Sequence, residues 1–496
     1  MKKNKTVLII LLSVFVLFMG VQMGLNYLIN AKVTEVLKKT KPTITYELLD
    51  YSLLFNELQV TSINASNNAE NSYRANVALL KLQGFSLMDF ISKEQLHFGK
   101  LIIVNPVFRY VKEKDVKSST KEVNMDGFSA ILIDEFEVDH ADLFFKQQSK
   151  STSATISFLV KDIKLTAQTL KNKIPFEYGD SSFNVADFYT DLSELELLKF
   201  KELKTVNGTV AITDLIIQSK DSKKELSKKL TEEKEHLDLF FKRIELEDFC
   251  ITEVNHQQKL AASNVKIIAP ELKFFRDKRV ADNTIYKPLY SEKLMRLKTL
   301  IDFPVIEIKE GLVVYEMLMD EGDEIGALVF NDVNAILKVS NLKGREQLCL
   351  DAESMFMEKS PFALTIEFTD LAHNNFTSKG VLKDFKTDYI NPFLYKILNT
   401  ELKGEIDDLY FTISGNNTLA TGDVKMKYDN LKLQINKYNL LKRTLHAVGN
   451  LVLKNTSSKE PEQFRKGTIK EERVQTKSLF NFLWISLRTG ILDVVS

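Results

Sequence analysis

The chain has 496 residues, 44% hydrophobic and 27% charged, and Lys+Arg and Asp+Glu both total 67. That length allows about two to four domains and a sizeable core. The missing basic excess argues against a nucleic-acid binder, and 18 Gly with 9 Pro exclude a low-complexity chain.

Lys2, Lys3 and Lys5 precede an apolar run from Val7 to Leu25, interrupted by Ser13, Gly20, Gln22 and Gly24. About 20 helical residues cross a bilayer core, whereas a secretory signal has an apolar region of about 7–15. No A-x-A cleavage site follows. Residues 1–6 therefore read as a cytoplasmic tail and 7–29 as an uncleaved transmembrane signal anchor whose helix runs on through 33–41, the other reading being a cleaved signal. The leading lysines hold the N-terminus in the cytoplasm, so the bulk of the chain is expected outside it.

Residues 30–220 read as a first β-module. An eight-residue box recurs in it: apolar, any, apolar, two polar, apolar, any, apolar. It reads LLFNELQV from Leu53, LKLQGFSL from Leu80, FLVKDIKL from Phe158 and VAITDLII from Val210. The fifth position is Asp, Asn, Gly or Glu throughout. Each half alternates like a half-buried strand. The two polar residues shift the parity by one, which in a straight strand would move the second half to the other face. A bulge or bend at the polar pair restores the face, and Asp, Asn and Gly tolerate the left-handed backbone such a bend needs.

Residues 221–241 (DSKKELSKKLTEEKEHLDLFF) are charged, contain no Gly or Pro, and predict a solvated connecting helix capped at Asp221–Ser222. Residues 242–454 then read as a second β-module with closing strands. Boxes return as IELEDFCI from Ile244, LVFNDVNA from Leu328 and MKYDNLKL from Met426, with looser forms at 366–371 and 404–411. Seven full boxes exceed the roughly two expected from composition. Together with the other alternating runs they suggest about 16 strands.

A longer duplication carries the boxes. LQGFSL (82–87) and IVNPVFRYVKEK (103–114) match LEDFCI (246–251) and IIAPELKFFRDK (267–278) at an offset of 164. FEVDHADLFF (136–145) and FLVKDI (158–163) match IEIKEGLVVY (306–315) and LVFNDV (328–333) at an offset of 170. The six extra residues fall in 279–300, which also holds the helix-like SEKLMRLKTL. NPFLYKILNTEL (391–402) predicts a short amphipathic helix.

Residues 455–477 read as a polar linker and 478–496 as an amphipathic helix. Leu479, Phe480, Leu483, Leu487, Ile491 and Leu492 lie near one helical face, with Trp484, the sole tryptophan, among them. Phe480, Leu483, Trp484 and Leu487 are candidates for membrane or partner contact. The other reading is a helix that caps the sheet.

Sites of chemistry are not evident. The six histidines, His97, His140, His236, His256, His373 and His446, show no metal spacing. There is no G-x-S-x-G, P-loop or G-x-G-x-x-G. The acids of the boxes lie tens of residues apart, too dispersed for calcium. No enzyme activity, cofactor or metal is expected. Cys250 and Cys349 leave a disulfide open, and Cys250, inside a box, reads as a buried thiol.

With these features the chain resembles the AsmA-like family of bacterial envelope proteins. The likeness rests on the anchor, the Asn105–Pro106 and Ala269–Pro270 strand pair, YKPLYSEKLMRL (286–297) before IEIKEGLVVYE (306–316), TLATGDVKMKYDNLKLQI (418–435) and the closing FNFLW (480–484). The resemblance implies an elongated, curved, repeating antiparallel β-sheet forming an apolar groove, with a few short helices. It also implies an inner-membrane, single-pass protein with most of its mass in the periplasm, handling phospholipid or another envelope lipid and supporting outer-membrane assembly. The chain is short for a member bridging two membranes.

The boxes point independently to an apolar face able to shield acyl chains, worth about 0.8 kcal/mol per CH₂. The groove candidates are Phe55, Leu58, Phe85, Val160, Ile163, Phe249, Phe330, Val333 and Leu431. The alternatives are that these side chains fill a closed core, or that the β-modules form a membrane-tethered scaffold for other envelope proteins.

Overall fold

The computed structural model describes residues 2–39, 43–67, 71–112, 129–171, 175–206, 208–255, 257–319, 324–398, 400–435 and 454–496. The chain is mostly β: 61% of it is strand. Among the described residues 23 strands, against the 16 or so expected, form mixed, largely antiparallel sheet. It divides into two compact units, Met1–Glu194 with Lys199–Asn207, and Leu195–Leu198 with Gly208–Ser496.

The first unit begins with α1 (Lys2–Lys39), β1 (Thr43–Thr45), β2 (Leu48–Ser52), β3 (Glu57–Asn67) and β4 (Asn71–Gln83). Then come α2 (Leu87–Lys93), β5 (Gln95–Val104), β6 (Val107–Lys112), β7 (Ala130–Gln147), β8 (Lys150–Leu165) and β9 (Ser181–Asp191). Most of β10 (Glu196–Val206) also belongs here. β4 pairs antiparallel with β3, β5 and β6; β5 and β6 both run parallel to β7; β8 and β9 follow antiparallel.

The second unit holds β11 (Thr209–Ser219), α3 (Lys223–Lys229), β12 (His236–Glu247), β13 (Cys250–Val254), β14 (Gln257–Ala261) and β15 (Asn264–Asp277). It continues with α4 (Tyr290–Met295), β16 (Leu300–Leu318), β17 (Ile325–Ser340), β18 (Gln347–Phe356), β19 (Ser360–Asp370) and β20 (Asn375–Lys386). α5 (Asn391–Leu398), β21 (Thr400–Gly415), β22 (Leu419–Ile435), β23 (Arg465–Glu472) and α6 (Leu479–Val495) complete it.

The boxes bend where expected. Gly84, Asp162, Asp214, Asp248, Asp332 and Asn430, each the fifth residue of a full box, have φ between 49° and 68°. In the first box the bend falls one residue earlier, at Asn56 (φ 46°) rather than Glu57, because Asn accepts this backbone more readily than Glu. The looser boxes lack positive φ at Asp370 and Asp408, but the ladder register shifts there, between Phe368 and Asp370 and between Ile406 and Asp408, and Phe368, Leu371, Ile406 and Leu409 are all buried. The parity slip works as argued: Val160 and Ile163 are both buried while Lys161, Asp162 and Lys164 are exposed. Likewise Met426, Tyr428 and Leu431 are all buried around the exposed Asp429–Asn430.

The duplication is a duplication of ladder register. Leu82 faces Leu101, and Leu246 faces Val265. Leu101 and Val107 face Phe136 and Asp142 in parallel, as Val265 and Glu271 face Ile306 and Leu312. Asn105 and Ala269 share positive φ, as do His140 and Glu310, so both copies bend at the same places. The match ends in the next strand. Phe136 faces Val160, 24 residues on, whereas Ile306 faces Leu337, 31 residues on. The boxes at 158 and 328 therefore occupy different rungs.

Three boundaries differ from expectation. Within 221–241 only Lys223–Lys229 is α-helix, started by a Ser222–Glu225 capping box. His236–Phe241 belongs to β12, since its alternating apolar residues pair with β11. Residues 455–477 are not merely a linker: Arg465–Glu472 forms β23 and covers the edge of β22. Cys250 is exposed, and both thiols are free.

Candidate functional site

Ladder register places the apolar side chains in rows. In the first unit, Leu58, Leu82, Leu101, Phe136 and Val160 face one another in turn across β3, β4, β5, β7 and β8. Two residues along, Val60, Leu80, Ile103, Val138 and Phe158 form a second row, extended by Phe183 of β9. Side chains two apart share a strand face, so both rows lie on one side. Phe98, Ile133 and Ile163 make a third row, brought to that side by the bend at Asp162.

Beyond the bend at His140 the same face continues. Val138 and Ala141 flank it and are both buried, so Leu143 and Phe145 follow on their side. Phe108 and Tyr110 lie opposite them in register, and Tyr110 stacks on Phe145 at 5.4 Å. The face is open here, and again at Phe183 in the second row: Phe108, Leu143, Phe145 and Phe183 are 36–40% exposed.

The second unit repeats the arrangement and closes it. One row runs Val210, Leu246, Val265, Ile306, Leu337, Leu350, Ile366, Ser378, Ile413, Gly422 and Ile469 across eleven strands. Most of these residues are buried. At the C-terminal end the face is covered by α6, whose Leu479, Phe482, Leu483, Gly490, Val494 and Val495 enter the core. Gly490 is required there, because a side chain would collide with Val424 and Ile469. Arg465 Nε donates to the Val494 carbonyl at 2.8 Å, and the Asp493 carboxylate accepts from Thr468 N at 2.7 Å. α5 contributes Phe393 and Ile397, packed over Gly326.

The predicted groove residues consequently separate. Leu58, Phe85, Val160 and Ile163 lie on or beside the face of the first unit, with Val160 and Ile163 at its buried floor. Phe55 stands apart on an exposed turn. Phe249 packs beside Val265 and Ile306. Phe330 meets the rings of Phe356 and Phe362 at 5.0 and 5.7 Å, and Val333 sits opposite Gly311 at a bulge. Leu431 is ordinary core. The predicted contact residues of the terminal helix divide as well: Phe480 and Trp484 are half-exposed, whereas Leu483 is buried and Leu487 packs on the core. Leu483 is thus not free for a membrane or partner.

Sequence reading missed how α1 is held. Gln22, Asn26, Asn30 and Thr34 are spaced by four and form one polar stripe. Leu53 N donates to Gln22 Oε1 at 2.8 Å, Asn26 Nδ2 to Asp50 Oδ1 at 2.8 Å, and Tyr46 Oη to Asn30 Oδ1 at 2.5 Å. Thr34 Oγ1 lies 3.1 Å from Tyr46 Oη. The spacing was visible as interruptions of an apolar helix.

Two charged clusters brace the units. His97 in β5 bridges Asp89 of α2 at 2.7 Å and Asp134 of β7 at 2.9 Å. Asp134 and then Asp89 raise its pKa, and Lys93, followed by His97, holds Asp89 well below the usual carboxylate range. In the second unit the buried Glu233 carboxylate is paired with Arg276, Lys278 and Lys477. Burial, with Arg276 and Lys477 nearby, pushes Lys278 down to about 8. Among the described residues no group of His, Cys, Asp or Glu is placed to hold a metal.

No family model, curated protein or solved structure matches the chain. The residues Ser13–Glu35 of α1 are long and apolar enough to cross a membrane, with a mean hydropathy of 1.5 and no burial within the protein.

Proposed function

We propose that the protein is a membrane-anchored, AsmA-like lipid-handling protein: α1 holds it in the inner membrane and an apolar β-groove takes up acyl chains in the periplasm. The observation that carries this reading is the open face of the first unit. Phe108, Leu143 and Phe145, neighbours across β6 and β7, and Phe183 of β9 are each more than a third exposed, while Val138, Ala141, Val160 and Ile163 of the same face are buried. An exposed apolar cluster of this kind marks a binding site. Acyl-chain contact is non-directional, so it serves binding or transfer without catalytic groups.

The test is native mass spectrometry of the full-length chain released in a mild detergent. Bound phospholipid is expected. Phe145→Asp should lower its occupancy while leaving the melting temperature near that of the parent. Lipid-free protein that takes up none from vesicles would sink the reading.

A further inference from the structure

We infer that the β2–β3 turn and α2 form a lip that docks on the membrane holding α1, its side chains entering the acyl boundary; this rests on the anchored reading above. Leu54 and Phe55 on the turn, and Leu87, Met88 and Ile91 on α2, are 60–75% exposed. No residue of α2 is buried. Turn and helix are tied together: Gly84 N donates to the Asn56 carbonyl, and Asn56 Nδ2 to the Phe85 carbonyl, both at 2.9 Å.

The height of the lip identifies its partner. Leu53 N is bonded to Gln22, and Gln22 lies within the apolar run Val7–Leu25. The turn therefore sits beside the segment that would cross the bilayer, since Gln22 falls inside both the apolar run and Ser13–Glu35. An apolar cluster there meets lipid rather than water. Continuity with the sheet supports the same partner, since Phe90 of α2 meets Phe85 at 5.9 Å and Phe85 meets Phe98 at 5.5 Å. Phe98 begins the row that ends at Ile163.

The duplicate supplies a control. Where the first copy has the helix α2, the second has the short strand β13, which exposes Thr252 and Glu253 together with Ile251 and Val254. The apolar helix occurs in the copy that carries the anchor.

The experiment uses the full-length chain with Trp484→Phe and one new tryptophan, from Phe55→Trp, Met88→Trp or, as reference, Ile251→Trp. Each is reconstituted in phosphatidylethanolamine–phosphatidylglycerol vesicles with and without bromine on the acyl chains. All should float with the vesicles, and the 55 and 88 variants should show blue-shifted emission and lose it to brominated lipid while the 251 variant does not. Floating protein with unquenched tryptophan at both 55 and 88 overturns the docking and leaves the anchor standing. Protein that does not float overturns both.

Discussion

β4 to β7 and β12 to β16 are two copies of one ladder, down to the positive-φ bends at Asn105 and Ala269, yet their apolar faces are finished differently. Phe108, Leu143 and Phe145 in the first copy are exposed. Their counterparts Leu272, Val313 and Tyr315 are partly covered, and burial raises the Tyr315 pKa. Farther along the second unit, α5 packs over Gly326 and α6 completes a closed core. The backbone plan thus fixes which side chains share a face, while added helices decide whether that face is core or surface.

The largest effects should come from opening the closed face. Phe482→Ala removes a buried ring between α6 and the sheet and should cost about 3–5 kcal/mol. Phe158→Ala, on the half-buried face of the first unit, should cost only roughly 1–2 kcal/mol, since less area leaves water. Chemical denaturation of both variants checks the ordering, and equal costs would break the comparison.

Bends come next. Asp332→Val places a β-branched residue at φ 49° and should destabilise by about 1–3 kcal/mol, whereas Asp332→Gly should be near neutral. Differential scanning calorimetry distinguishes them.

The two charged clusters should respond to pH in opposite directions. His97 has a raised pKa, so its contribution to the first unit is complete below the ordinary histidine value and is lost as pH rises through the raised one. The part owed to Asp89, whose pKa is lowered, is lost as pH falls below the usual carboxylate range. Lys278 has a folded pKa of about 8 against 10.5, so the unfolded chain binds more protons between these values. Its contribution to the second unit should therefore improve as pH rises from 8 toward 10. Melting curves of parent, His97→Gln and Lys278→Met from about pH 3 to 10 read each slope. The smallest effect is expected at Ile251 in exposed β13, where Ile251→Ser should stay within about 0.5 kcal/mol of the parent.

Much of this was legible in the sequence, for identifiable reasons. A two-residue parity slip with Asp, Asn or Gly at its end specifies a bend, and six of the seven full boxes bend at that residue. Helix coverage was less legible. α6 is apolar around most of its circumference, so periodicity did not reveal that Leu483 faces the sheet while Trp484 faces out. β23 escaped notice because RKGTIKEE buries just Gly467 and Ile469, too little alternation to mark a strand. The slide of β17 relative to β8 was invisible for a different reason. Boxes repeat the same apolar spacing, so more than one register keeps apolar residues opposed, and the hairpin connection selects among them.

The most direct test of an open first face and a closed second one is photo-crosslinking with a phospholipid carrying a diazirine on its acyl chain, applied to the full-length protein in vesicles. Crosslinks should map to peptides containing Phe108, Phe145 or Phe183, and not to those containing Ile413, Met426 or Leu431. Crosslinks confined to the second set, or none in either, would contradict the account.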